Sequence, residues 1–253
     1  MAKKKQTINK RKQRLIICLA ILSTVCAAVC AFIVVPHIMD LSAIRREQAS
    51  LPDFSPFHAY WLEANPDYVG WLQINGTNIN FPVVRGDDNV RYLTTSFRGE
   101  ENSFGAIFMD YRSSIGLPHV IIYGHQARTV TNDWLMFGSL HEFLDEQFLA
   151  SHPTIHFITN NLLYEFKIFS ARLTDIHDPA YQLNFNAPGS FIAFLERNDA
   201  PLDAEQIITL STCVGTNNDR RMIVQGALQR VIPVNTEYDE NGGWRIVHDN
   251  LLN

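Results

Sequence analysis

Leu15 to Val35 (LIICLAILSTVCAAVCAFIVV) is a run of 21 residues without a charge. At about 1.5 Å of rise per residue, a helix of that length spans roughly 31 Å, the thickness of the hydrocarbon core of a bilayer. The pattern predicts a membrane-spanning helix over residues 15–35. A polar stalk follows over residues 36–54, with a helical stretch at Met39–Gln48 that ends before Leu51-Pro52. Ser55–Ala64 (SPFHAYWLEA) reads as a short helix, with Ser55 as its cap and Pro56 at its first position. Beyond Asn65-Pro66-Asp67 the texture changes to short β-branched and aromatic runs separated by turn residues. Strands are predicted at Val69–Ile74, Asn80–Val84, Ala106–Met109, His119–Tyr123, Thr154–Ile158, Leu163–Thr174, Gln206–Thr212 and Arg221–Arg230. Asn75-Gly76 and Arg85–Asp88 supply turns, and helices are predicted at Trp134–Leu140, His141–Ala150 and Ser190–Arg197. Eight short strands with few helices predict an all-β-dominated fold (β with α insertions), a barrel or sandwich rather than a parallel α/β sheet.

Composition adds little on its own: with 46% apolar and 19% charged residues, intrinsic disorder, a collagen-like repeat and a small disulfide scaffold are all excluded. Charge changes the picture. Residues 1–14 (MAKKKQTINKRKQR) hold seven of the 21 basic residues and no acidic one. The other 239 residues keep 14 basic and 26 acidic side chains, a balance of −12. An acidic body argues against a nucleic-acid partner, which needs a basic face. Seven positive charges before the apolar run place the N-terminus in the cytoplasm and everything after Pro36 outside. The alternative is a cleaved signal peptide, whose apolar core is usually about 7–15 residues and ends at a small-x-small site. Both readings export the body.

Export reassigns the four cysteines. Cys18, Cys26 and Cys30 fall inside the apolar helix, which leaves Cys213 as the one thiol of the exported part. It is buried and inert, intermolecular, or reactive. Its neighbours favour reactivity. Cys213 closes the run Ile207–Cys213 (IITLSTC) at a strand end, and Arg220 and Arg221 open the next strand after a short loop. The strand Val120–Tyr123 likewise stops at Gly124 and delivers His125. Cysteine, histidine and arginine at three strand ends are the ingredients of nucleophilic acyl transfer.

These residues also match a family. Thr209–Cys213 (TLSTC), the strand from Arg221 (RMIVQG) and Tyr123-Gly124-His125 resemble the signature of sortases, the cysteine transpeptidases of Gram-positive cell surfaces. Val69-Gly70-Trp71 to Asn80, Phe81-Pro82-Val83-Val84, Asn89 with Tyr92-Leu93, and Gly105–Arg112 (GAIFMDYR) resemble class B in particular. The resemblance spans about residues 55–230. It implies a sortase-type eight-stranded β-barrel with short N-terminal helices, and a helix, Ser190–Arg197, inserted between strands six and seven. The implied organisation is a basic cytoplasmic arm (1–14), a transmembrane signal-anchor (15–35), an extracellular stalk (36–54) and a catalytic domain (55–253).

By the same resemblance Cys213 is the nucleophile, His125 the acid/base, and Arg221, preferred to Arg220 by the Arg-x-Ile-Val-x-Gly pattern, holds the substrate backbone or the oxyanion. Asn89, Leu93, Tyr123, Ser211 and Thr212 are implied at the peptide groove. Blander roles stand beside these: Tyr123 as a core aromatic, Leu93 as packing, Ser211 and Thr212 as strand-end caps, Asn89 as a turn residue, and Asp110-Tyr111-Arg112 as structural support. His119 shares a strand and a face with His125, so alternation cannot choose between them; the Tyr-Gly-His match does. The implied activity cleaves a C-terminal sorting motif, related to Asn-Pro-x-Thr-x or Leu-Pro-x-Thr-Gly, and transfers the acyl group to a peptidoglycan amine. A pilin lysine is the alternative acceptor, and a non-catalytic exported binding domain or a hydrolytic cysteine peptidase the alternative classes. No cofactor and no metal are expected. The connection from His125 to Met136-Phe137 is longer than the family pattern, and Val231–Asn253 runs past its final strand without an assigned role.

Overall fold

The computed structural model describes residues 2–50, 58–128, 133–214, 217–238 and 244–247, with side chains over 12–46, 58–128, 133–212 and 219–234. Contacts divide the chain into two compact units, Met1–Ala43 and Ile44–Asn253.

The N-terminal segment is helical: α1 (Ala2–Val29), a π-helical stretch (Cys30–Val34) and α2 (Val35–Ser50). The expected break into a stalk at Pro36 is therefore not a break. Pro36 lacks the N–H that an α-helix would use here, and its ring crowds the preceding turn. The helix widens instead, with the Val35 N–H reaching back five residues to the Cys30 carbonyl. Thr24, one of two hydroxyl residues within the apolar stretch, satisfies its hydroxyl inside the helix by donating to the Ala20 carbonyl (2.8 Å). The apolar residues face outward all round, Phe32 at 82% exposure. Lys12–Arg46 is long and apolar enough to cross a membrane.

The second unit is a closed eight-stranded barrel. Its strands are β1 (Tyr68–Gln73), β2 (Asn80–Val84), β3 (Phe108–Met109), β4 (His119–Tyr123), β7 (Thr154–Ile158), β8 (Leu162–Asp175), β9 (Ile207–Val214) and β10 (Asn217–Pro233). They close in the order β1-β2-β3-β4-β9-β10-β8-β7. The β2–β3 and β4–β9 pairs are parallel and the rest antiparallel. The helix α3 (His58–Ala64) lays Trp61 against Trp71 of β1, with ring centroids 5.0 Å apart. The expected cap at Ser55 lies outside the described residues.

Val120-Ile121-Ile122 of β4 and Ile207-Ile208 of β9 are consecutive buried apolar residues rather than alternations because these strands are covered on both faces. The outer cover is α5 (Ser190–Arg197), whose Phe194 and Leu195 are fully buried in a cluster with Ile207 and Ala227. This is the helix expected between barrel strands six and seven, here β8 and β9.

One region departs from expectation. Trp134–Leu140 is helical only from Phe137: β5 (Gln126–Arg128) and β6 (Trp134–Met136) form a hairpin, with Arg128 paired to Trp134 and its guanidinium 3.6 Å over the indole. A 3-10 helix (Phe137–Leu144) follows, then Asp145 accepts from the Gln147 and Phe148 N–H groups and starts α4 (Glu146–Ser151). That cap splits the helix expected over His141–Ala150 into two elements. The other corrections are of length. The strand at Ala106–Met109 is only Phe108–Met109, while β10 is far longer than Arg221–Arg230 and ladders with β8 as far as Pro233. Beyond it, β11 (Asn235–Tyr238) and β12 (Trp244–Val247) pair as an unpredicted hairpin.

Candidate active site

The parallel pairing of β4 with β9 brings two distant strand ends together. Tyr123 pairs with Ser211, and the Gly124 N–H donates to the Ser211 carbonyl at 3.2 Å. Two residues past that pair, the chain reaches His125 on one side and Cys213 on the other. The strand β10 returns antiparallel, and Arg221 is the register partner of Cys213. The backbone thus gathers three residues spread over 97 positions of sequence. The Cys213 side chain lies outside the described residues.

Gly124 is needed where it stands. A Cβ there would sit 2.4 Å from Ile107 Cδ1 and 2.9 Å from the Phe137 ring. Absence of a side chain lets the chain pass between them and turn His125 out of the barrel. The hairpin then anchors it, the Phe137 N–H donating to the His125 carbonyl at 3.0 Å.

The two histidines separate cleanly in three dimensions. His119 is buried, with Nδ1 2.7 Å from the Gln182 carbonyl and Nε2 2.8 Å from Thr209 Oγ1. Burial pushes its pKa down to about 4 against the opposing bond from Gln182, so it is a neutral core residue. His125 is half-buried and places Nε2 2.9 Å from the Leu93 carbonyl. A carbonyl only accepts, so Nε2 carries the proton and Nδ1 is left as the basic nitrogen. Burial lowers the His125 pKa, with the bond to Leu93 opposing.

A cavity of about 380 Å³ opens at these strand ends, within the usual range for ligand sites. His125 and Arg221 line it together with Asn89, Leu93, Tyr123, Ser211 and Thr212. Seven of the eight residues singled out from sequence therefore meet in one hollow, beside the backbone of the eighth. Arg220, the alternative to Arg221, pairs with Asp175 and is exposed. Leu93 is 39% exposed, and its carbonyl is the His125 partner. Ser211 shares a hydrogen bond of 2.8 Å with the Tyr181 hydroxyl. Thr212 Oγ1 is buried and has no partner among the described residues.

Two wall residues escaped the sequence reading, and Arg112, expected only as structural support, joins them. Tyr181 and Ile176 come from the long connection between β8 and β9, and Arg112 from the segment after β3. Asp178-Pro179 signals the short 3-10 turn that carries Tyr181, since Asp178 accepts from the Ala180 N–H at 2.8 Å. Nothing in the local pattern says that this turn folds over β9. Among the described residues no three His, Cys, Asp or Glu side chains converge as a metal site would require.

Residues 72–229 match the family described as Sortase domain. A protein of Listeria monocytogenes named Sortase B is 34% identical over 178 residues, covering 65% of this chain and 70% of that one. A protein of the same name from Staphylococcus aureus is 31% identical over 180 residues, covering 66% and 72%. The solved Staphylococcus aureus sortase B–substrate complex superposes with a TM-score of 0.61 at 25% identity, over 76% of this chain and 92% of that one.

Proposed function

Because the chain belongs to the sortase family, class B, and is therefore a cysteine transpeptidase, we propose that it is anchored in the cell membrane and joins secreted proteins to a cell-wall amine. In this reading the N-terminus is cytoplasmic, residues 15–35 span the bilayer, and the barrel works outside the cell. The seven basic charges ahead of the apolar helix support that orientation. The observation that carries the catalytic part is the meeting of His125, Arg221 and the backbone of Cys213 at one cavity.

The proposed steps follow from the residue types. The Cys213 thiolate attacks the carbonyl carbon at the scissile bond of a sorting motif, and the electron pair moves to the carbonyl oxygen. Arg221, a donor that keeps its charge, stabilises that oxyanion or holds the adjacent backbone. Collapse breaks the C–N bond, and protonated His125 gives its proton to the leaving amine. A thioester remains. The incoming amine attacks it, neutral His125 takes the amine proton, and the thiolate departs. Asn89, Leu93, Tyr123, Ser211 and Thr212 line the space that the peptide would fill. The substrate complex solved for the Staphylococcus aureus relative supports a peptide as occupant.

The proposed acceptor is a peptidoglycan amine; a pilin lysine is the other reading, and an acceptor screen separates them. The test incubates the full chain in detergent with a library of peptides related to Asn-Pro-x-Thr-x and Leu-Pro-x-Thr-Gly, plus oligoglycine, diaminopimelate-type and lysine acceptors. We expect cleavage, ligation to one acceptor class, and a thioester on Cys213 visible by mass spectrometry. Absence of cleavage across the library would sink the proposal, as would full activity of Cys213→Ala.

A further inference from the structure

We propose that Asp110 is a positioning residue for the peptide: its buried carboxylate fixes the hydrogen-bond polarity of one cavity wall by holding Asn89, Arg112 and Tyr123. The inference rests on the peptide-binding reading above.

Asp110 follows β3, is fully buried, and is surrounded by donors. Its Oδ2 accepts from Asn89 Nδ2 (2.9 Å), Tyr123 Oη (3.1 Å) and Arg112 Nη2 (2.8 Å). Its Oδ1 accepts from Arg112 Nε (2.9 Å) and the Arg112 N–H (3.0 Å). Burial works to raise the carboxyl's pKa, but the donors from Arg112 and Asn89 outweigh it and hold it below the ordinary carboxylate range. Asn89, Arg112 and Tyr123 all line the cavity.

A carboxylate only accepts, so what it takes from each partner decides what that partner has left. Tyr123 spends its single O–H on Asp110, and its oxygen is left as an acceptor. Arg112 commits Nε and Nη2 to Asp110, and Nη1 makes no hydrogen bond among the described residues, so it is left as a donor. Asn89 is committed at both ends, Nδ2 to Asp110 and Oδ1 to the Tyr111 N–H (3.0 Å). The wall thereby offers the remaining Arg112 N–H groups as donors and the Tyr123 oxygen as an acceptor, the complement of a C=O and an N–H of extended peptide main chain. The Arg112 charge is already balanced by Asp110, so this wall selects by hydrogen-bond geometry rather than by attraction of an anion.

Steady-state cleavage by the full chain in detergent tests this, using a peptide that the wild type cuts. If the wild type cuts none, the proposed function fails rather than this inference. In Asp110→Asn one acceptor oxygen becomes an NH2 group, which cannot take the hydrogen bonds it replaces. We expect KM to rise about 10-fold or more with kcat within about 3-fold of wild type, and alkylation of Cys213 by iodoacetamide to be unchanged. Adding Tyr123→Phe should then cost less than the product of the two single effects, because Asp110 acts through that hydroxyl. An unchanged KM, a fall in kcat alone, or fully multiplicative effects would overturn the inference. Should Asp110→Asn not fold, Tyr123→Phe and Arg112→Lys carry the test. Each should raise KM with sub-multiplicative coupling, and either leaving KM unchanged overturns it.

Discussion

At the scale of single residues, burial decides which histidine is available for chemistry. His119 satisfies both ring nitrogens while packed under Phe194 of α5, whereas His125 Nδ1 makes no hydrogen bond among the described residues. A histidine whose folded pKa is depressed binds fewer protons than the unfolded chain below pH 6.5, so its contribution to stability is lost as pH falls. For His119 the window runs from pH 6.5 to about 4, and the loss across it is about 3 kcal/mol. His58, His125 and His156, also lowered by burial, act in the same direction. Denaturant unfolding at pH 7 and pH 4.5 should show a marked loss of stability, and a smaller pH-dependence in His119→Asn. The lowered His125 sets a second expectation: the acid limb of the kcat/KM profile for peptide cleavage should have an apparent pKa below 6.5. His125→Ala should lower kcat/KM by about 10² to 10⁴-fold. An acid limb above pH 6.5 would contradict the assignment of that titration to His125.

At the scale of elements, the site is made by how strands end. Gly124 turns the chain out of β4 through a gap that cannot hold a methyl group, and a shift of about 1 Å at a reacting group costs roughly 10²-fold. Gly124→Ala should reduce cleavage by about that factor while the protein remains folded; wild-type rates in a folded variant would count against the role given to this turn. The helix α5 has a different task. Phe194 seals the outer face of the β9–β10 pair, so Phe194→Ala should cost about 3–5 kcal/mol in urea unfolding. The sequence reading found α5 and six of the eight barrel strands nearly to the residue, because each is a local apolar or amphipathic run. It missed the β5–β6 hairpin. Trp134-Leu135-Met136 carries helix-compatible side chains, and only pairing with Gln126-Ala127-Arg128, with Arg128 over the Trp134 ring, makes it a strand. It likewise broke the helix at Pro36, where the chain instead absorbs the missing N–H in a π-helical turn.

At the scale of the whole molecule, charge and hydropathy divide the labour. The proposed orientation depends on the +7 arm. Replacing its seven basic residues with glutamine should disorder or reverse the topology, read by protease protection of the barrel in intact cells. Retained orientation would assign topology to some other signal. The amino-acid sequence by itself determined the apolar span, the partition of the cysteines, the strand-rich class and the short motifs that hold His125, Cys213 and Arg221, because each is written in short runs of neighbouring residues. Only the tertiary structure decided that His125 rather than His119 faces the cavity, that Tyr181 reaches Ser211, and that Asp110 holds three wall residues at once. Those facts depend on the parallel register of β4 with β9, on barrel closure and on the burial of particular polar atoms. They are relations between residues far apart in the chain, which no local pattern encodes.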